Sequence, residues 1–216
     1  MRCKQWIFDM DGTLTDSMTT VWRQAPIAML EHFGCQARPG LRETLLSMTI
    51  PQAAEYLHQE YGLPMDEAGY TRLLRQEVNH LYQTVELKPG VREMLARLAQ
   101  QGARMCICSN TWEAQCREVL SRLGVESYFE FFITAQGEQS KRRPEVFLEA
   151  MQRLGGTDPA CCAVCEDAVY AARTAAGAGF YVVGIADEDS RADEPELRSL
   201  SRQFLPDWTA LDWDQV

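Results

Sequence analysis

Two acidic residues, Asp9 and Asp11, follow a hydrophobic run near the start of the chain, in "WIFDMDGTLTDS". A buried strand would explain the apolar half of this stretch, and a tight turn would explain its glycine. Neither explains two carboxylates separated by a single residue. Other polar side chains lie next to apolar runs further along the chain in a similar way: Ser109, Asn110, Lys141, Glu166 and Asp167. Polar groups at several strand ends are typical of a site at one edge of a sheet.

The charges of these residues indicate what chemistry such a site could do. Three or four carboxylates in one cluster would repel one another strongly, so the pattern predicts a hard divalent cation, and all-oxygen ligands favour Mg²⁺. A lysine and a hydroxyl beside that cation suit a phosphoryl group. Asp9 could then attack phosphorus and form an aspartyl phosphate that water hydrolyses. Asp11 could donate a proton to the leaving oxygen and later accept one from water.

The elements that would position these residues follow from an alternation of apolar runs and helical patterns after Gly90. This alternation predicts βαβ units and a doubly wound α/β fold with a parallel sheet. The helical patterns are "VREMLARLAQQG", "WEAQCREVLSRLG", "PEVFLEAMQRLG" and "AVYAARTAAGAG". The strands between and after them are "ARMCICSN", "YFEFFITA", "CCAVCED" and "FYVVGIAD", and the first fifteen residues add one more. We expect the polar residues at the strand ends to converge.

The segment between the first strand and Gly90 interrupts the alternation, because it contains only helical patterns. We therefore predict an α-helical domain at residues 16–87, inserted into a core domain of residues 1–15 and 88–216. Pro26 falls within the first helical pattern of the insert and is expected to bend or interrupt it.

Composition limits the possible partners. The chain has 216 residues, 46% of them hydrophobic, and a net charge of −10 with a pI near 4.8. Surfaces that bind nucleic acid or anionic lipid need clustered Lys and Arg, so we expect neither partner. No signal peptide or membrane-spanning run is evident, which predicts a cytoplasmic protein. We expect a monomer or weak dimer.

The eight cysteines lie mostly in apolar, strand-like runs. Cys162 and Cys165 form a lone CxxC pattern within such a run, without a second CxxC or a nearby pair of histidines. We interpret them as buried packing residues.

The order of the motifs resembles the haloacid dehalogenase superfamily over nearly the whole chain. The motifs are "DMDGT", "SN", Lys141 in "SKRRPEVF" and "ED". Arg142 departs from the family's pattern, in which proline usually follows the lysine. The resemblance implies a Rossmann-like core with strand order 3-2-1-4-5, and the insert is similar to the family's small helical cap.

The resemblance also implies a role for each site residue. Asp9 and Asp167 would bind Mg²⁺ through their side chains and Asp11 through its carbonyl, while Glu166 would support the metal through water. Asp9 and Asp11 would be catalytic. Ser109, Lys141 and the backbone N–H of Asn110 would bind the phosphoryl oxygens.

Several reactions are known within this superfamily. Its dehalogenases lack the second acid of the first motif, which is present here as Asp11, and its phosphonate-cleaving members use a cap lysine that residues 16–87 lack. Relatives of β-phosphoglucomutase carry a cap histidine shortly after the first motif, where this chain has "MTTVWRQ", and an Arg-Ser pair in a cap loop that "LLSMTIPQA" lacks. We therefore expect a phosphatase acting on small phosphate monoesters, similar to phosphoglycolate phosphatase. A phosphosugar mutase and an inactive binding or regulatory protein stay as alternatives.

Substrate selection is expected to reside in the insert, because the core residues named above all handle the metal or the phosphoryl group. The candidate specificity residues are Trp22, Arg23 and Thr49. For Trp22, hydrophobic packing is an equally open explanation.

Overall fold

A computed structural model describes residues 3–46, 48, 50–64, 66–137 and 140–216. The chain divides into two compact units. The core unit consists of Met1–Asp16 and Glu86–Val216, and the insert unit consists of Ser17–Val85. None of the helices in the described part of the chain is long and apolar enough to cross a membrane.

The described residues of the insert unit form helices and turns only. One π-helical turn, Met18–Trp22, is followed by α1 (Ala25–His32), α2 (Leu41–Leu46), α3 (Ile50–Tyr61) and α4 (Glu67–Tyr82). Pro26 lies in the first turn of α1, where a missing N–H leaves no helical hydrogen bond unmade. The interruption expected at Pro26 is thus confirmed. The helices bury a small apolar cluster that consists of Met29, Leu30, Leu41, Leu45, Ala53, Ala54, Leu57, Leu63 and Tyr70.

The core unit contains a parallel sheet, which within the described residues has six strands in the order β3-β2-β1-β4-β5-β6. The strands are β1 (Gln5–Phe8), β2 (Arg104–Ser109), β3 (Phe132–Thr134), β4 (Cys162–Glu166), β5 (Tyr181–Ile185) and β6 (Gln203–Leu205). The expected doubly wound sheet with the order 3-2-1-4-5 is confirmed, and β6 extends it by one edge strand. The apolar run at β6 is only two residues long, Phe204 and Leu205, which is too short to give a strand pattern, and β6 was therefore not predicted.

Helices connect the strands as the βαβ pattern requires. They are α5 (Val91–Gln100), α6 (Glu113–Arg122), α7 (Glu145–Arg153), α8 (Val169–Gly177) and α9 (Glu194–Leu200). The apolar positions of the pattern for α5 are all buried: Val91, Met94, Leu95 and Leu98. The strand expected from "YFEFFITA" is shorter than predicted, because Phe129 is buried in a turn that precedes β3.

The cysteines of the CxxC pattern lie in β4 and are fully buried, without disulfide bonds. Residues three apart on a strand point to opposite faces of the sheet, so Cys162 and Cys165 cannot face one another. Burial raises the pKa of both thiols. These features support the interpretation of both residues as packing residues.

The C-terminal segment supports the loop that follows β1. Trp208 is 2% exposed, and its indole Nε1 donates a hydrogen bond to the Thr13 carbonyl at 2.9 Å. The centres of its ring and of the Phe8 ring are 5.7 Å apart, and its backbone amide donates a hydrogen bond to the Pro89 carbonyl at 3.1 Å. No element was predicted in this segment from the sequence.

Gly90 provides a test of this packing. Its φ is +81°, and a Cβ added there would lie 2.6 Å from the Thr209 amide nitrogen. We expect Gly90→Ala to lower the free energy of unfolding by about 2–5 kcal/mol, which combines left-handed strain with overpacking. Urea unfolding followed by tryptophan fluorescence measures this change.

Gly102→Ala is the matched control, since its φ is +75° but none of the described residues has an atom within 4 Å of the added Cβ. Its free energy of unfolding should fall by only about 1–2 kcal/mol. Equal losses in the two variants would contradict the close approach of the C-terminal segment to Gly90.

Candidate active site

Three buried carboxylates meet where β1 and β4 end. Phe8 pairs with Cys165 in the sheet, so Asp9 lies level with Glu166, and the Asp9 amide donates to the Cys165 carbonyl at 3.0 Å. Asp9, Glu166 and Asp167 each offer a carboxylate oxygen, and these atoms lie within 4.8 Å of one another. The structure therefore brings together acids that are far apart in the sequence.

The loop after β1 folds back on itself and adds a hydroxyl to this group. Gly12 has a φ of +78°, a conformation that glycine adopts most readily. The amides of Leu14 and Thr15 both donate to the Met10 carbonyl, at 2.9 and 3.0 Å. Thr13 Oγ1 then lies 3.2 Å from Asp167 Oδ1. The tight turn expected at the glycine of "DMDGT" is thus present, whereas the contact of the Thr13 hydroxyl was not predicted.

Lys141 places an ammonium group between two of the acids. Its Nζ donates to Asp9 Oδ1 at 2.5 Å and to Glu166 Oε1 at 2.7 Å, and the residue is 2% exposed. Burial alone would lower the pKa of Lys141, but the charges of Asp9 and Glu166 raise it well above its usual value. Lys141 therefore stays protonated beside Asp9.

When all three acids are ionised, they carry more negative charge than Lys141 balances. Burial raises the pKa of Asp9 and Asp167 and brings that of Glu166 to about 8. Repulsion from Asp9 and Glu166 contributes further to the raised pKa of Asp167. Buried carboxylates with raised pKa values are stabilised in their charged form by an additional cation.

The donor set fits a hard divalent cation. All of its atoms are oxygens, and Glu166 Oε2 is buried and has no hydrogen-bond partner among the described residues. Mg²⁺ prefers oxygen ligands of this kind. Glu166 belongs to the carboxylate group as closely as Asp9 and Asp167 do, whereas the resemblance places it one water away from the metal. The metal roles of Asp9, Asp11, Asp167 and Glu166 stay predictions.

Asp11 makes a different contact. Its Oδ2 accepts a hydrogen bond from Thr111 Oγ1 at 2.6 Å, and both residues are buried. The Thr111 amide in turn donates to Ser109 Oγ at 3.1 Å. The second acid of the first motif is thus connected to the segment that follows β2.

Asn110 and Arg142 lie in a second set of contacts centred on Tyr170. Asn110 Nδ2 donates to the Tyr170 hydroxyl at 2.8 Å, and the Arg142 guanidinium lies 4.6 Å from the centre of the Tyr170 ring. A cation over an aromatic face is favourable. Where relatives usually have proline, this chain therefore has a contact between the Lys141 segment and α8.

An ion pair near Asp167 was not predicted. Lys88 Nζ lies 2.8 Å from Asp187 Oδ2, and both side chains are largely buried. The Lys88 charge lowers the pKa of Asp167, while that of Asp187 raises it. The scarcity of lysine, with only Lys4, Lys88 and Lys141 in the chain, is the one sequence feature that could have drawn attention to Lys88.

The candidate specificity residues lie in the insert unit. Trp22 ends the π-helical turn and Arg23 follows it, and both are half-buried. Thr49 lies outside the described residues. The specificity role of all three stays a prediction.

Comparison with known proteins identifies similar chains. Hexitol phosphatase B of Escherichia coli (strain K12) is 29% identical over 167 residues, which cover 76% of this chain and 74% of that protein. Protein CbbY of Rhodobacter capsulatus is 29% identical over 231 residues, which cover 96% of this chain and 99% of that protein. The crystal structure of β-phosphoglucomutase from Clostridium difficile shares the fold with a TM-score of 0.72 at 17% identity, covering 99% of this chain and 95% of that one.

A family model described as haloacid dehalogenase-like hydrolase matches residues 4–179, and this range includes the ends of β1, β2 and β4 and every acid of the carboxylate group. Because the match spans well over half of the chain, the resemblance predicted from the motifs is confirmed, and the chain belongs to the haloacid dehalogenase-like hydrolases.

Proposed function

We propose that this hydrolase is a Mg²⁺-dependent phosphatase of small-molecule phosphate monoesters. The observation that carries the proposal is the buried Lys141 ammonium, which lies within hydrogen-bond distance of both Asp9 and Glu166. A cation fixed beside a carboxylate nucleophile can hold the oxygens of a phosphoryl group against it. The similarity to a protein named hexitol phosphatase B supports the same assignment.

The proposed reaction has two steps. In the first, an Asp9 oxygen forms a bond to phosphorus while the ester P–O bond breaks, and Asp11 gives a proton to the departing oxygen. In the second, Asp11 takes a proton from water, whose oxygen attacks phosphorus and releases inorganic phosphate and the Asp9 carboxylate. Lys141, Ser109 and the amide of Asn110 would hold the phosphoryl oxygens.

Asp9 and Asp167, with the Asp11 carbonyl and Glu166, would hold Mg²⁺. Bound there, the ion would neutralise the repulsion between the carboxylates and a phosphate dianion. This proposal rests on the all-oxygen donor set and on the buried Glu166 oxygen, which has no hydrogen-bond partner in the described part of the chain.

The leaving group is proposed to be a small organic alcohol, as in phosphoglycolate phosphatase. The names of similar proteins broaden this class to include polyol phosphates. We further propose that Trp22, Arg23 and Thr49 of the insert select among esters. A cytoplasmic location and a monomeric or weakly dimeric state stay predictions.

The first prediction concerns the nucleophile and the metal. Asp9→Asn should reduce phosphate release to the uncatalysed background, because an amide cannot form the aspartyl phosphate. Excess EDTA should do the same to the wild-type protein, and added Mg²⁺ should restore activity.

Asp158→Asn is a suitable control, since Asp158 is an exposed aspartate that caps a short helical turn. It should keep wild-type activity. Full turnover by Asp9→Asn would exclude the covalent mechanism, and full turnover of the wild-type protein in EDTA would exclude the metal.

The second prediction concerns Asp11. Asp11→Asn should lower kcat/KM for an alkyl phosphate by roughly 10²- to 10⁴-fold, the usual contribution of a positioned acid or base. The loss should be much smaller for p-nitrophenyl phosphate, because its leaving oxygen needs little protonation. Equal losses for the two esters would contradict proton donation in the first step.

The third prediction separates a phosphatase from a mutase. The histidines of the chain are His32, His58 and His80, so none lies shortly after the first motif, where mutase relatives carry one. Incubation with β-glucose 1-phosphate should therefore yield inorganic phosphate at most, as measured by phosphate release and by ³¹P NMR. Efficient formation of glucose 6-phosphate would favour the mutase instead.

A further inference from the structure

We infer that Thr111 is a positioning residue, which holds the Asp11 carboxyl group in the orientation needed for proton transfer. This role rests on the proposed function, since it assigns Thr111 to the step in which Asp11 acts. The second motif does not imply this role, because it consists of Ser109 and Asn110 and Thr111 follows it.

The contact is short and shielded from water. Thr111 Oγ1 lies 2.6 Å from Asp11 Oδ2, and the two residues are 1% and 8% exposed. A carboxylate can only accept hydrogen bonds, so the threonine hydroxyl must donate when Asp11 is ionised. Hydrogen bonds to charged groups in buried surroundings are among the stronger ones in proteins. The bond therefore restricts rotation of the carboxyl group about its Cβ–Cγ bond.

The backbone of Thr111 is itself held by hydrogen bonds at both its amide and its carbonyl. Its amide donates to Ser109 Oγ at 3.1 Å, and its carbonyl accepts from Cys116 Sγ in α6 at 3.6 Å. Its β-branched side chain has few accessible χ1 rotamers. A hydroxyl donor with so little conformational freedom can hold the Asp11 carboxyl group in one orientation. A long, flexible side chain could not.

The same residue thus connects the proposed phosphoryl-binding hydroxyl to the proposed proton donor. Ser109 would contact the phosphoryl group and Asp11 would contact the ester oxygen, and Thr111 sets the distance between them. When the ester bond breaks, the proton leaves Asp11 for the departing oxygen, and the carboxylate that forms keeps the Thr111 hydroxyl as its donor. Small errors in the position of a catalytic group can cost about 10²-fold in rate.

The test compares Thr111→Val with Thr111→Ser. Valine keeps the shape of threonine without the hydroxyl, and serine keeps the hydroxyl. We expect Thr111→Val to lower kcat/KM for an alkyl phosphate by about 10- to 100-fold and to change that for p-nitrophenyl phosphate by less than about threefold. Thr111→Ser should retain most of the wild-type value for both esters.

A double-mutant comparison separates positioning from a general structural role. In the Asp11→Asn background, Thr111→Val should have no further effect on the alkyl phosphate, because the group that it positions no longer transfers a proton. Thr174→Val serves as the matched control. Its hydroxyl bonds to the Tyr170 carbonyl within α8, and its loss should leave both esters unaffected. Thr111→Ala replaces the valine variant if thermal unfolding shows that valine does not fold.

The outcomes distinguish this inference from the proposed function. If the wild-type protein releases no phosphate from any ester with Mg²⁺ present, the proposed function fails. A second outcome is that Asp11→Asn shows the expected dependence on the leaving group, but folded Thr111→Val does not. If the kcat/KM of Thr111→Val falls equally for both esters, or for neither, only the role of Thr111 is excluded. Additive losses in the double mutant would exclude it as well.

Discussion

The buried ammonium of Lys141 between Asp9 and Glu166 is the interaction on which the site depends. Taking charges out of water costs several kcal/mol per ion, and attraction between them offsets that cost only when their geometry is good. Three separate segments of the chain must come together to place these charges at hydrogen-bond distance. Asp9 follows β1, Glu166 ends β4, and Lys141 lies before α7. The adjacency of β1 and β4 in the sheet is therefore a condition for burying these charges.

The two acids of the first motif have different surroundings, which suit the different roles proposed for them. Asp9 lies among like charges, and burial raises its pKa despite the nearby lysine. Asp11, two residues later, contacts a neutral hydroxyl instead. The loop around Gly12 makes this separation possible, because its backbone folds back toward the sheet within a few residues. One short loop can therefore present both the proposed metal-binding nucleophile and the proposed proton donor.

The sequence predicted what depends on local periodicity and on strand ends. The buried face of α5 and the strand β4 follow from the spacing of apolar residues, and the convergence of Asp9 with Glu166 follows from the rule for parallel sheets. It did not predict contacts that depend on tertiary proximity alone. The hydrogen bond from Thr111 to Asp11 joins residues 100 positions apart, and the one from Lys88 to Asp187 spans 99. A threonine or lysine has no periodic pattern that could indicate such a partner.

The hydrogen bond from Trp208 to the Thr13 carbonyl spans 195 positions and joins opposite ends of the core unit. A ribosome synthesises the loop after β1 long before it synthesises Trp208, so this loop lacks one of its supports while most of the chain emerges. Contacts of such long range form late, since closing a large loop costs entropy that only the completed packing offsets. Incomplete translation products that end before Trp208 would therefore contain every acid of the site without the support that Trp208 gives to the loop carrying Asp9 and Asp11.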